Sequence, residues 1–303
     1  MYRAFPAAGS LLTAGSLVEV VLLARPVPGW SAATLLLVTL IAIALVSRRL
    51  VLGGTGTPRA DANLVARRAG AQVHSWLVAH LDTKAQAQSM AGRLVAIWVT
   101  LSALVALIIA CGFRLAGPLP REVADAVGLL GAIAGFLVAR GRLSGESPGA
   151  RDNGSGLLAV LTAAELATDP GIGIIITSGE EFGLAGARAL AAGPGNFLSG
   201  SQVVNVDTID DEGTLFIVRH GNGDALAARM VERLSGLAVL RSRRLPLGIM
   251  VDGVPLARAG SSAVTLGRLS WGTLRKLHTA RDTAAGYRLE TAEMLGERLA
   301  TPI

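Results

Sequence analysis

Apolar residues fall along this chain in runs of two lengths, and the long runs come in pairs. Residues 5–24 are interrupted only by Glu19, and after a Pro/Gly break residues 29–47 carry no charge and end at Arg48 and Arg49. Farther on, residues 94–113 form 20 consecutive uncharged positions, and beyond a Gly/Pro loop at 114–121 the run 123–139 contains only Asp125. About 20 apolar residues span a bilayer as a helix, so each pair predicts a transmembrane hairpin. A cleaved signal peptide is the competing reading of the first run, weakened by the lack of a small-residue cleavage site ahead of the second.

The short runs alternate between strand and helix. Residues 63–67 and 72–82 read as strands, the second ending in AHLDT (79–83). A polar loop at 144–156 leads into an apolar-periodic helix at 157–167, and then comes IIITSGEEFGLAGA (174–187), a buried strand, a tight turn and a helix start. Strands at 202–207, 214–219 and 263–267, an amphipathic helix at 224–235 and a mostly helical segment at 283–300 complete the pattern. With the second hairpin excised, this alternation predicts an α/β fold. It would have a mixed, mostly parallel sheet flanked by helices, plus four transmembrane helices, two of them inserted in the α/β domain. The organisation expected is a transmembrane hairpin over 1–50, the first part of the α/β domain over 51–93 with a Gly/Thr/Pro linker at 53–61, the inserted hairpin over 94–140, and the main part over 141–303. Two parts of one domain must share a compartment, which requires an even number of crossings between them, and two are found.

Composition agrees with a membrane-embedded portion. The chain is 51% hydrophobic and only 17% charged, with a mean hydropathy of +0.52, too apolar for a purely soluble protein of this length. The formal charge is +6, and Lys84 and Lys276 are the only lysines. No basic stripe is interleaved with aromatics, so no nucleic-acid partner is expected; arginines flanking membrane helices account for the charge. Arg48, Arg49, Arg93, Arg140 and Arg142 lie on the α/β domain's side, which Arg3 should share, against Arg25, Arg114 and Arg121 opposite. That bias predicts a multi-pass protein of the cell membrane with the α/β domain in the cytoplasm. The single cysteine, Cys111, excludes an internal disulfide and argues against a thiol-based metal site.

Candidate chemistry gathers at strand ends, where open α/β sheets place their sites. His80 and Asp82 are two apart on a strand and project to the same face, a spacing that suits a metal-binding imidazole and a carboxylate that orients its neighbour or its surroundings. Asp152 sits in a Gly/Ser-rich loop ahead of a helix. Glu180 and Glu181 occupy the turn after the 174–177 strand, where one could bind a cation while the other handles a proton; a solvated helix N-terminus is the bland alternative. Asp207 ends an apolar strand, where a carboxylate is otherwise costly to bury, and His278 lies in the loop LHTARDT (277–283). Two imidazoles with these carboxylates suit zinc, and there are enough donors for two ions sharing a bridging acid. A strand-end Asp is more often a cap or turn residue and a lone His more often structural, and His74 and His220 stay in that structural class.

The motifs AHLDT (79–83), GARDNGSG (149–156), TSGEEFGLAG (177–186), VVNVDTID (203–210) and HTARDT (278–283), in this order, resemble those of the M28 family of zinc metallopeptidases. The resemblance covers about 62–300 and leaves the apolar hairpins outside it. It implies a co-catalytic pair of zinc ions, two per chain: His80 and Asp207 on one, Glu181 and His278 on the other, Asp152 bridging. It also implies Glu180 as general base and Asp82 behind the ligands. Two features depart from the family pattern: Leu277 stands where some members carry an aromatic hydroxyl, and Arg151 where a small or acidic residue is usual. The function implied is a membrane-anchored zinc peptidase, in particular an aminopeptidase acting on peptides. The alternatives are a glutaminyl-cyclase-like zinc acyltransferase and a non-catalytic membrane scaffold of the same fold. Arg93 and Arg142 lie 13 and 10 residues from a ligand, so the site is expected within about 45 Å of the bilayer even at full extension, with access to peptides at its surface.

Overall fold

The computed structural model describes residues 4–52, 62–193, 197–246 and 249–302. The chain divides into two compact units, Met1–Pro58 with Gln86–Gly145 and Arg59–Ala85 with Glu146–Ile303. The linker expected at 53–61 lies outside the described residues.

The first unit consists of α1 (Ala4–Ala24) and α2 (Trp30–Leu52), then, after the first part of the second unit, α3 (Met90–Arg114) and α4 (Arg121–Ala139). All four helices are long and apolar enough to cross a membrane, with mean hydropathies of 1.8, 2.2, 2.7 and 1.8. Their packing is inverted relative to a soluble bundle. Small residues such as Ala8, Ala103, Ala110, Ala124 and Ala134 are buried, while Leu37, Val105, Ile108, Leu129 and Phe136 are exposed. Many large apolar side chains outside and small ones between helices, joined there by Leu12, Leu23, Leu36 and Leu107, is an arrangement that lipid favours. Backbones approach so closely that a Cβ on Gly9 would lie 2.4 Å from the carbonyl oxygen of Gly135. Arg114 is buried and donates from Nε to the Leu22 carbonyl at 2.9 Å and from Nη2 to that of Arg25 at 2.5 Å, satisfying carbonyls at the end of α1.

The second unit is built on a seven-stranded sheet made of β1 (Leu64–Ala66), β2 (Ser75–His80), β3 (Ile172–Thr177), β4 (Gln202–Ile209), β5 (Thr214–His220), β6 (Leu240–Arg244) and β7 (Ser262–Leu269). The order is β1-β3-β2-β4-β7-β5-β6. β3, β2, β4 and β7 run parallel, β1 pairs antiparallel at one edge, and β5 is antiparallel to β7. The sheet is therefore mixed and mostly parallel. β2 is buried along its whole length, as a strand covered on both faces must be. Leu77 and Ala79 pack with α5 (Gly156–Leu166) and with two helices on the same side, α7 (Asp224–Arg233) and α10 (Glu290–Leu299). Trp76 and Val78 pack on the other side, with α6 (Ala185–Ala192) and α8 (Gly253–Arg258). A one-turn helix α9 (Trp271–Leu274) follows β7, capped reciprocally by Ser270 and Thr273. Thr83 Oγ1 donates to the Ser147 carbonyl at 3.0 Å, so the chain leaves this unit and re-enters it at one place.

Two elements differ from the sequence expectation. The helix expected over 283–300 begins only at Glu290, because backbone N–H groups ahead of it are taken elsewhere: those of Arg288 and Leu289 donate to Asp211 Oδ2 at 2.9 and 3.2 Å. Tyr287 meanwhile donates its hydroxyl to the Ile209 carbonyl. β6 was not anticipated, since four of its five residues are exposed and the strand shows no alternation of burial; its partner β5 defines it.

His220, at the end of β5, is buried with Nε2 2.9 Å from Thr265 Oγ1. Burial pulls its pKa from the ordinary 6.5 down to about 4. The unfolded chain therefore takes up a proton below about 6.5 that the folded chain refuses until near 4. This contribution to stability is complete above 6.5 and is lost as pH falls towards 4. Between pH 7 and 5 the wild type should lose on the order of 1–2 kcal/mol more than His220→Gln, read from denaturant unfolding at the two pH values. Equal losses would contradict this.

Candidate metal centre

The parallel core brings three strand ends side by side. His80 closes β2 and is in register with Thr177 at the end of β3, after which the chain turns through Glu180 and Glu181; β4, on the other side of β2, carries Asp207. Gly179 adopts φ +68° in that turn, a left-handed conformation cheap only for glycine. The Asp152 loop is pinned to β4. Asn153 Nδ2 donates to the Val206 carbonyl at 2.9 Å and its Oδ1 accepts from Thr208 N at 3.1 Å, while Ser155 Oγ accepts from Ile209 N at 2.8 Å. His278 arrives from the loop after α9 with φ +64°, and Thr208, next to Asp207, has φ +61°. Non-glycine residues held in this region cost free energy and cluster at functional sites.

These elements converge on two groups of donors that share one residue: His80, Asp152 and Asp207, and Asp152, Glu181 and His278, with the donor atoms of each group within 4.8 Å of one another. His80 Nε2 lies 3.2 Å from Asp152 Oδ1 and 3.8 Å from Asp207 Oδ1. His278 Nε2 lies 3.2 Å from Asp152 Oδ2 and 3.4 Å from Glu181 Oε1. The two oxygens of Asp152 thus face different imidazoles. His80 Nε2 is buried without a hydrogen bond, an expensive state that a cation among these carboxylates would relieve. The donor set and this orphaned nitrogen fit a metal.

The electrostatics point the same way. Burial disfavours a proton on His80, yet Asp152 and Asp207, aided by the charge of Glu180, overturn this and hold its pKa well above the usual imidazole value. Burial, together with the charges of Asp207, Glu181 and Asp252, pushes Glu180 well above the usual carboxylate range, with His80 opposing. The cluster carries more negative charge than its own side chains balance.

Asp82 lies beside these groups. The carbonyl oxygen of Asp82 is 3.0 Å from His80 Nδ1, while its carboxylate accepts from the backbone N–H groups of both Glu180 and Glu181, each at 3.0 Å. Its side chain holds the glutamate turn and lies 3.8 Å from His80 Nδ1. His74 stands apart, 3.2 Å from Asp169, and His220 bonds Thr265.

Of four further residues at the site, Lys84 and Asp252 were not singled out from the sequence, while Arg151 stood out only as a departure from the family pattern and Asp282 only by its spacing from His278. Lys84, buried, pairs with Glu181 Oε2. Asp252 is fully buried, accepts from Thr177 Oγ1 at 2.5 Å, and has its pKa raised to about 6, chiefly by burial. Placed between apolar Val251 and a Gly-Val-Pro start, it reads as a helix cap, but it makes no capping bond. Arg151 is buried with its guanidinium 4.3 Å over the Tyr287 ring and Nε 3.2 Å from Asp210. Asp282, fully buried, accepts from the backbone N–H of Arg151 at 2.9 Å and of Asp152 at 3.1 Å, which ties the His278 loop to the Asp152 loop. The spacing of four between His278 and Asp282 is the one signal for it in the sequence.

Comparison with known proteins gives a family and a set of distant folds. The family model described as peptidase family M28 matches residues 125–301. No curated protein matches the sequence. Among solved structures, a zinc aminopeptidase from Bacillus subtilis is similar at 17% identity with a TM-score of 0.46, over 78% of this chain and 48% of that one. The LapA aminopeptidase of Legionella pneumophila is similar at 12% identity with a TM-score of 0.48, over 98% of this chain and 73% of that one. The chain thus spans about half the length of the Bacillus protein.

Asp282→Asn keeps the side chain's shape but leaves one oxygen for two backbone donors and removes the charge facing Arg151. It should weaken metal binding by about 10- to 100-fold and cost about 1–3 kcal/mol in unfolding. Competition with a chelator and denaturant melts measure both; unchanged values would mean the tie is dispensable.

Proposed function

Because the chain belongs to peptidase family M28, we propose that it is a membrane-anchored, zinc-dependent peptidase, and more narrowly an aminopeptidase. The observation that carries this reading is the division of Asp152, whose two oxygens face two imidazoles that each have a further carboxylate beside them. That division supports His80 and Asp207 as ligands of one ion, Glu181 and His278 as ligands of a second, and Asp152 as the ligand of both. Imidazole and carboxylate donors in this number suit zinc. When bound, the zinc pair supplies Lewis-acid polarisation of the scissile carbonyl and acidification of water. An acyltransferase needing one ion would leave one of the two donor groups without use, and a scaffold would need neither.

The remaining work belongs to the chain's own side chains. Glu180, beside the ligand Glu181 and held in place through Asp82, takes a proton from the attacking water on its carboxylate and passes it to the nitrogen of the departing amine. Glu181 stays ionised as a ligand, so the adjacent pair divides two roles. Arg151 and Asp282 keep the Asp152 loop from shifting, and at such sites an error of about 1 Å costs as much as 100-fold in rate.

The four apolar helices support anchoring in the membrane, and the excess of arginine at Arg48, Arg49, Arg93, Arg140 and Arg142 supports a cytoplasmic α/β unit. Peptides at the membrane surface are the substrates this arrangement favours.

Glu180→Gln tests the assignment. The variant should retain its metal content, measured by elemental mass spectrometry, while hydrolysis of aminoacyl amides falls by about 10²- to 10⁴-fold. Hydrolysis at the wild-type rate would remove Glu180 as the base.

A further inference from the structure

Lys84 has no part in the chemistry described so far, yet it sits inside the centre. Its side chain is 4% exposed and pairs with Oε2 of Glu181, itself 3% exposed. Glu181 Oε1 faces His278, so the two oxygens of this ligand are divided between the imidazole side and a lysine. The two halves of the centre consequently differ in charge. Around His80 the neighbouring carboxylates are those of Asp152, Asp207, Glu180 and Asp82, whose Oδ1 lies 3.8 Å from Nδ1, with Asp252 acting on the same imidazole. Around His278 they are the carboxylates of Asp152 and Glu181, set against the ammonium of Lys84.

Resting on the two-ion reading above, we propose that Lys84 makes the two zinc positions unequal. It occupies one oxygen of Glu181, which restricts that carboxylate to a single oxygen for an ion. It also fixes a positive charge a few ångströms from where a dication must sit, in a site with little water to screen it. Both effects weaken the Glu181–His278 position and spare the His80–Asp207 position. The His80–Asp207 position fills first and holds its ion, and the other exchanges. At limiting zinc the chain carries one ion, and the second loads only as free zinc rises, so the complete centre exists only where zinc is plentiful.

The test uses full-length protein in detergent, stripped with a chelator and titrated with zinc alone against a chromophoric competitor. Wild type should show two dissociation constants separated by at least about tenfold. Lys84→Met should tighten the weaker one to within about threefold of the tighter and leave the tighter one where it was; Lys84→Arg, which keeps charge and donors, should retain the gap. If Lys84→Met does not fold, Lys84→Gln takes its place. Two equal constants in wild type, or a gap that survives Lys84→Met unchanged, would overturn the proposal. Failure of wild type to bind zinc at all is a different result, and it would remove the two-ion reading on which the proposal rests.

Discussion

A carboxylate buried between two imidazoles is the contact on which the rest of this site depends. Asp152 lies 3.2 Å from a nitrogen of each histidine, and neither arrangement is stable by itself in a dry interior. Buried charges must be paired, and here the acids outnumber the bases. The surrounding structure keeps the groups from moving apart. Asn153 and Ser155 fasten the Asp152 loop to β4, Asp282 fastens it to the His278 loop, and Asp82 fastens the glutamate turn to the end of β2. Each fastening is a buried or half-buried side chain accepting from, or donating to, backbone on another element. The centre is therefore held by the sheet rather than by the donors' attraction for one another.

The order of the elements explains how such a site coexists with membrane helices. The parallel strands β3, β2 and β4 bring His80, the glutamate turn and Asp207 together at the carboxyl ends of the strands. The chain departs from this end of the sheet after Thr83 and returns at Ser147, two residues joined by a hydrogen bond. An excursion that begins and ends at one point leaves the sheet intact, as insertions with neighbouring termini do. Within the helical unit, close contacts between glycines and buried small residues accompany a few buried leucines, Leu12, Leu23, Leu36 and Leu107.

Much of this was legible in the sequence because it is local. Four apolar runs, strands of apolar residues and acids or imidazoles at strand ends are patterns within a few residues, and they identified the membrane-length helices, most of the sheet, and the residues that the structure brings together as His80, Asp152, Glu181, Asp207 and His278. What the sequence concealed depends on partners far away in the chain. Lys84 meets Glu181 across 97 positions and Asp282 meets Asp152 across 130. Asp252 gives no signal of the site in the sequence and meets Thr177 across 75 positions. β6 is a strand only because β5 pairs with it, since an exposed edge needs no alternation of polarity.

The number of ions the centre holds at saturation bears most directly on the account. Chelator-stripped full-length protein, dialysed to equilibrium against excess free zinc and measured by elemental mass spectrometry, should carry about two ions per chain, with Asp152→Ala reduced because the shared ligand is gone. One ion or none at saturation, or an Asp152→Ala variant that still binds two, would contradict a centre bridged by Asp152.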